Sequence, residues 1–495
     1  MRAQTIPALL AETAERFSDR IAVADETAAL SFRALREEAE AVAARLLAGD
    51  IPAGPVGIYA GRRVEVIAAM LGAALSGRCY VPLNPLAPAE KNRAILAAAG
   101  VRVLLGAEGD YDGTDVGCRF LRHECGALPR AAGIPVVPTD PADPLYIIFT
   151  SGSTGAPKGI VKSHGAVLDF VRAYTEEFGF DETEVIGNQT PFCFDASAKD
   201  IYLMLYIGAR MEIIPTALFS FPVRLVEYLN TKEITFLSWV PSALAIVARL
   251  RTFRDILPTT VRRVFFVGEV FPARDLNAWR EALPGIEYVN LYGSSELAGI
   301  CCFYRVPGEG PCPDPLPLGQ PLGNSAVFLG EDGRITDSDR GEVMVVSDAL
   351  ADRYLNDDAK TAETFVSLTL PDGRAVRALR TGDYACRRED GLLVFTARSD
   401  GLIKYKGYRI ELGEVESAVN AVDGIVRACV LYNAQSERIT AFVACPDEGL
   451  TLRALNDSLR ERLPDYMLPR RLVRMDELPL NANGKIDRTY LKTQL

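Results

Sequence analysis

Apolar positions recur at helical spacing over residues 31–48, with Arg and Glu on the opposite face, so this stretch reads as an amphipathic helix. A short apolar run at 56–59 reads as a strand, 64–75 as a helix and 101–105 as a second strand. Alternation of this kind predicts βαβ units and an α/β fold. A Pro-rich connector at 134–144 leads into a buried strand at 145–150. Farther along, the runs 234–237, 264–267 and 288–291 read as strands, separated by helical stretches at 224–229 and 272–283. Between 319 and 395 the runs shorten, and GEDGR, PDGR and REDG punctuate them, which predicts a β-rich annex. After 400 the pattern gives a helix at 411–422 and strands at 428–432 and 439–443. No internal repeat is visible.

Charge changes the list of possible partners. A net charge of −11 argues against binding that depends on counterion release from nucleic acid. Glu12, Glu15 and Arg16 interrupt the first residues where a secretory signal needs an apolar core, and the longest apolar runs fall short of the ~20 residues that span a bilayer. A soluble, cytoplasmic protein without a membrane partner is expected. Ten cysteines without a CxxC pair read as reduced thiols, and the adjacent Cys301 and Cys302 make no metal site alone.

Candidate chemistry starts directly after the strand at 145–150. Thr150, Ser151, Gly152, Ser153, Thr154 and Gly155 offer backbone and hydroxyl donors to phosphate oxygens, and Lys158 adds a cation. This is not a Walker A loop, because Pro157 disfavours helix just before the lysine. A solvated Ser/Thr/Gly linker is the plain alternative.

On these residues the chain resembles the adenylate-forming enzymes, and within them the adenylation domains of nonribosomal peptide synthesis and the D-alanine–carrier protein ligases. The segments that carry the resemblance follow the family's order: LSFRALREEAEAVAARL, GRCYVPLNP, YIIFTSGSTGAPKG, FCFDASAKDIY, NLYGSSELAG, GEVMV, RTGDYACR, ARSDGLIKYKGYRIELGEVES and LPLNANGKIDR. The resemblance implies αβαβα-type subdomains plus the β-rich annex in a large domain, 1–399, and a small mobile α+β domain, 400–495, turning about Asp400. It also implies ATP-dependent conversion of a carboxylic acid to an acyl-adenylate, then transfer to a phosphopantetheine thiol.

Residue roles carry over on matching motifs. Lys485 matches the catalytic lysine near the α-phosphate, where charge builds up and cation stabilisation counts most. Lys404 lies on the face implied to serve the thiol-transfer step. Glu296 matches the Mg²⁺-associated glutamate, a hard oxygen ligand that suits Mg²⁺ on phosphates. Asp383 matches the carboxylate on the ribose hydroxyls, with Arg398 as a second ribose contact. Gly268, Glu269, Asn290, Leu291 and Tyr292 resemble the adenine-side wall, followed by Gly293, Ser294 and Ser295, where the family usually has a Pro. His164 reads equally as a site residue or a packing residue.

The same likeness places Asp195 on the α-ammonium of an amino-acid substrate, in a pocket lined by Ala196, Lys199, Ser238, Phe265, Val267, Leu291, Gly299 and Ile300. Gly299 leaves space in that reading. Lys199 either meets an acidic group of the substrate or bridges to Asp195 or another protein carboxylate. The expectation is therefore an amino-acid adenylating ligase using ATP and Mg²⁺. Because only seven residues follow the NGKIDR segment and no carrier motif is visible, the expected acceptor is a separate phosphopantetheinylated carrier protein. Two rivals remain: an acyl- or aryl-CoA ligase, disfavoured because Asp195 would face an acid without an amine as an unpaired buried charge, and a catalytically silent binding protein on the same fold.

Overall fold

The computed structural model describes residues 3–107, 110, 115, 117–123, 126, 137–150, 157–331, 333–398, 402–445, 449–479 and 486–495. Ser151–Gly155, Asp400, Lys485 and the start of the 134–144 connector lie outside the described residues. The chain divides into two compact units. The first comprises residues 1–85, 99–148 and 159–397, and the second 86–98, 149–158 and 398–495. The family resemblance implies a single cut at 399/400, whereas here two short stretches group with the C-terminal chain.

The helix Phe32–Leu47 shows why the first pattern reads correctly. Ser31 caps it, its Oγ accepting from Ala34 N at 3.2 Å, and the buried stripe Phe32, Leu35, Ala39, Val42 and Leu46 repeats every three or four residues. The helix Val64–Leu75 is buried almost all round and packs against it.

The first unit holds three large sheets. One runs through nine strands, and its core is the parallel set Val185–Asn188, Phe236–Trp239, Arg263–Val267 and Glu287–Tyr292. A second, seven-stranded sheet contains Pro144–Thr150 and Lys158–Ser163. The third is the expected annex, an antiparallel sheet of six strands built around Arg340–Ser347 and Ala375–Arg387. Parallel strands buried on both faces read as continuous apolar runs, which is why their positions are legible in the sequence and their ends are not. The run expected at 234–237 becomes the strand Phe236–Trp239, because Ile234 N closes a turn on Leu229 O.

The second unit contains the hairpin Leu402–Tyr405 with Tyr408–Glu411, the helix Leu412–Asn420, and a three-stranded sheet of Arg427–Asn433, Arg438–Ala444 and Arg471–Met475. Its own core gathers Ile410, Val415, Val430, Ala441 and Leu455. Among the described residues no helix is long and apolar enough to cross a membrane.

Candidate active site

Register fixes which side chains share a face. Ser238 pairs with Phe265, and Val267 with Leu291, across three adjacent parallel strands, so these four side chains point to one side of the sheet. In open α/β sheets ligands gather at the carboxyl ends of such strands. Phe265 is closed off there by Tyr174, Phe178, Phe180 and Phe236, at ring distances of 4.7 to 6.3 Å. Ser238, Leu291 and Ile300 are equally buried, while Ala196, Val267 and Gly299 keep partial exposure. The space expected at Gly299 is already filled: a Cβ there would run into the ring of Phe170, and its φ of +151° also disfavours a side chain. Gly293 is similarly confined, with Gly299 O and Ile300 Cα only 2.5 and 2.8 Å from where its Cβ would lie.

Asp195 opens a short turn, Asp195–Ser197, ahead of the helix Ala198–Ile207. Its Oδ1 accepts from Tyr146 OH at 2.9 Å and from Lys162 Nζ at 2.8 Å. Lys162 Nζ also donates to the Leu297 carbonyl. Burial pushes the Asp195 carboxyl up and the Lys162 ammonium down, and each partner draws the other back toward its charged form. Tyr146 stacks on Tyr80, whose hydroxyl lies 2.7 Å from that of Tyr202. Lys162 escapes motif matching altogether. The available signal is a lysine inside an otherwise apolar buried strand, GIVKS, just after the phosphate-type loop. It corrects one expectation, since Asp195 has a cationic partner whether or not a ligand supplies one.

Lys199 bridges to a protein carboxylate, and that carboxylate is Asp200. Its Nζ lies 2.7 Å from Asp200 Oδ1 and 3.0 Å from Ser238 O, and Asn188 Nδ2 donates to Asp200 Oδ2 at 2.9 Å. Both charged side chains are essentially sealed. Beside them the hydroxyls of Ser238 and Tyr174 find no well-formed hydrogen bond among the described residues, although the two lie close enough for Ser238 to oppose the upward push that burial gives the Tyr174 phenol.

The nucleotide-side residues are only partly gathered. Glu296 is buried and accepts from Tyr354 OH at 2.7 Å. Asp383 is buried too, its Oδ2 accepting from Tyr292 OH at 2.6 Å. Gly268 has open space where a Cβ would stand and a φ of +102°. Glu269 instead accepts from Ser242 N at 3.1 Å, at the start of the helix Pro241–Arg249. Asn290 points to the opposite sheet face from Leu291 and donates to Pro317 O at 2.8 Å. Ser294 and Ser295 are half-buried, as is Thr150. In the second unit Lys158 Nζ lies 3.4 Å from Glu411 Oε1, and Lys404 sits opposite Arg409 in its hairpin. Arg398 ends the strand Leu393–Arg398. His164 is a core residue, its Nδ1 accepting from Ile6 N at 3.3 Å.

The chain belongs to the AMP-binding enzyme family, a class of adenylate-forming enzymes, which it matches over residues 10–355. The family's C-terminal domain matches over 414–485. The chain is 29% identical to the zwittermicin A synthase ZmaJ of Bacillus cereus, over 98% of this chain and 94% of that protein. It is 31% identical over 99% of its length to bacitracin synthase 3 of Bacillus licheniformis, but spans only 8% of that protein. Among solved structures it is similar to holo-PA1221, an NRPS protein containing adenylation and PCP domains, with 25% identity, a TM-score of 0.84, and coverage of 99% of this chain and 84% of that one. Its adenylation type is that of the nonribosomal peptide synthetases, a family that works on ATP.

Proposed function

We propose that the protein activates an amino acid with ATP and passes it to the phosphopantetheine thiol of a separate carrier protein in the cytoplasm. A carboxylate oxygen of the substrate attacks the α-phosphorus and pyrophosphate leaves. The carrier thiol, giving up its proton, then attacks the acyl carbon and AMP leaves. Positioning and cation stabilisation carry most of such a phosphoryl step. In this reading Lys485 serves the first step and Lys404 the second, Asp400 takes up the turn between them, and Ser151–Gly155 with Lys158 hold the phosphates. Asp383 and Arg398 hold the ribose.

The observation that carries the reading is Asp195, whose two hydrogen bonds from described residues both fall on Oδ1 and whose side chain keeps 11% exposure. In this reading an α-ammonium takes the remaining oxygen. Mg²⁺ fits as an ion held chiefly by phosphates and water, with Glu296, a buried carboxylate, as its protein ligand. Such an ion would neutralise charge developing on the phosphates.

A second reading, an acid without an amine, draws support from Lys162, which spares Asp195 the cost of standing unpaired. Amino-acid-dependent ATP–pyrophosphate exchange across a panel of amino, aryl and fatty acids tests both, with mass-spectrometric loading of a carrier protein for the transfer step. Exchange with an amino acid is expected; exchange confined to aryl or fatty acids would overturn the reading.

A further inference from the structure

Asp195, read above as the partner of a substrate amine, is surrounded by more than amino-acid activation requires. Lys162 lies in the strand Lys158–Ser163, fully buried, and every residue from 159 to 163 is buried with it. An ammonium taken out of water must find acceptors inside the protein. It finds Asp195 Oδ1 at 2.8 Å and the carbonyl of Leu297, while Tyr146 OH donates to the same carboxylate oxygen at 2.9 Å. Asp195 therefore has a resident cation and a neutral donor before any ligand arrives.

A site rejects an analogue that lacks one group when the loss leaves a buried partner unsatisfied. A lone buried aspartate rejects the α-hydroxy or des-amino form of its amino acid in this way, because the charge is left uncompensated. Lys162 removes that penalty. It also acts in the opposite sense, since an α-ammonium bound to Asp195 shares one carboxylate with a second ammonium, and like charges at that range repel. A hydroxyl brings no charge and still donates to the exposed part of the carboxylate.

We propose that Lys162 is a specificity-determining residue that abolishes discrimination at the α-carbon, so that the α-hydroxy counterpart of the preferred amino acid is activated about as well as the amino acid itself. The inference rests on the reading that Asp195 faces the substrate α-carbon. A purely structural prop for Asp195 would not alter the ratio between the two acids.

The test is ATP–pyrophosphate exchange with matched pairs, such as alanine and lactate, leucine and 2-hydroxyisocaproate, or phenylalanine and phenyllactate, on wild type and Lys162→Met. For the best pair, wild-type kcat/KM values should agree within about tenfold, while Lys162→Met should favour the amino acid by on the order of 100-fold or more. Should Lys162→Met not fold, the wild-type ratio decides alone. A wild-type preference for the amino acid above about 100-fold, or an unchanged ratio in a folded Lys162→Met, overturns the inference and leaves amino-acid activation standing. Exchange with the hydroxy acid alone overturns both, because it shows discrimination against the amine. Exchange with neither member of any pair, beside activation of aryl or fatty acids, overturns both.

Discussion

The phenol of Tyr292 stands 2.6 Å from Asp383 Oδ2, joining the end of a central parallel strand to the β-rich annex through one buried hydrogen bond. Burial and the neighbouring carboxylate push the Tyr292 hydroxyl well above its ordinary range, so it stays a proton donor at any working pH. Tyr292→Phe removes that donor and should cost about 1–3 kcal/mol of stability, read from urea melts. If Asp383 also holds the ribose, Asp383→Asn should raise KM for ATP more than it lowers kcat. An unchanged KM would remove Asp383 from the ribose site.

Lys199→Met takes the cation from Asp200 and leaves Asn188 as its remaining described partner. Breaking a buried pair of this kind costs about 3–5 kcal/mol, and the double variant Lys199→Met/Asp200→Asn should recover part of it. Activity should fall alike for every amino acid. A loss confined to glutamate or aspartate would show that Lys199 meets an acidic substrate instead.

Lys485→Ala should lower acyl-adenylate formation by on the order of 100-fold or more, because a preorganised charge at a phosphoryl transition state is worth a few kcal/mol. Thermal stability should hardly move. Near-normal pyrophosphate exchange in the folded variant would take the catalytic role away from Lys485.

His164 gives a pH dependence with a defined sign. Burial lowers its pKa from 6.5 to about 4, with Asp143 pulling weakly the other way. The unfolded chain therefore takes up a proton near pH 6.5 that the folded protein refuses until about pH 4. This contribution is fully present above pH 6.5 and is lost as pH falls toward 4, with about 2 kcal/mol gone between pH 7 and 5. Denaturation midpoints at those two pH values should separate less in His164→Gln than in wild type; an equal separation would acquit His164.

Motifs make the frame readable, and packing decides what they do not express. Ser31 before an amphipathic run announces the helix Phe32–Leu47, since cap and stripe agree. The helix Ala198–Ile207 gives no such warning that Lys199 will turn to its own neighbour Asp200, because adjacent residues on a helix do not face each other and only a long, flexible stem closes the gap. Lys162 escapes notice for a related reason: a strand pattern states that a position is buried but not which acceptors wait there. Glu269 and Asn290 show the limit from the other side, as their side chains go to a helix start and a backbone carbonyl on faces that motif order does not reveal.

The close fit between Gly299 and the ring of Phe170 has a consequence for anyone seeking to redirect this enzyme. Position 299 looks like a free variable, yet any side chain placed there competes with an aromatic ring rooted in the helix His164–Phe178, so single-site libraries at 299 would return mostly misfolded variants. Shrinking Phe170 would clear the space but not the backbone, whose φ of +151° strains any side chain at 299, so useful diversity lies at Phe170 with the glycine kept.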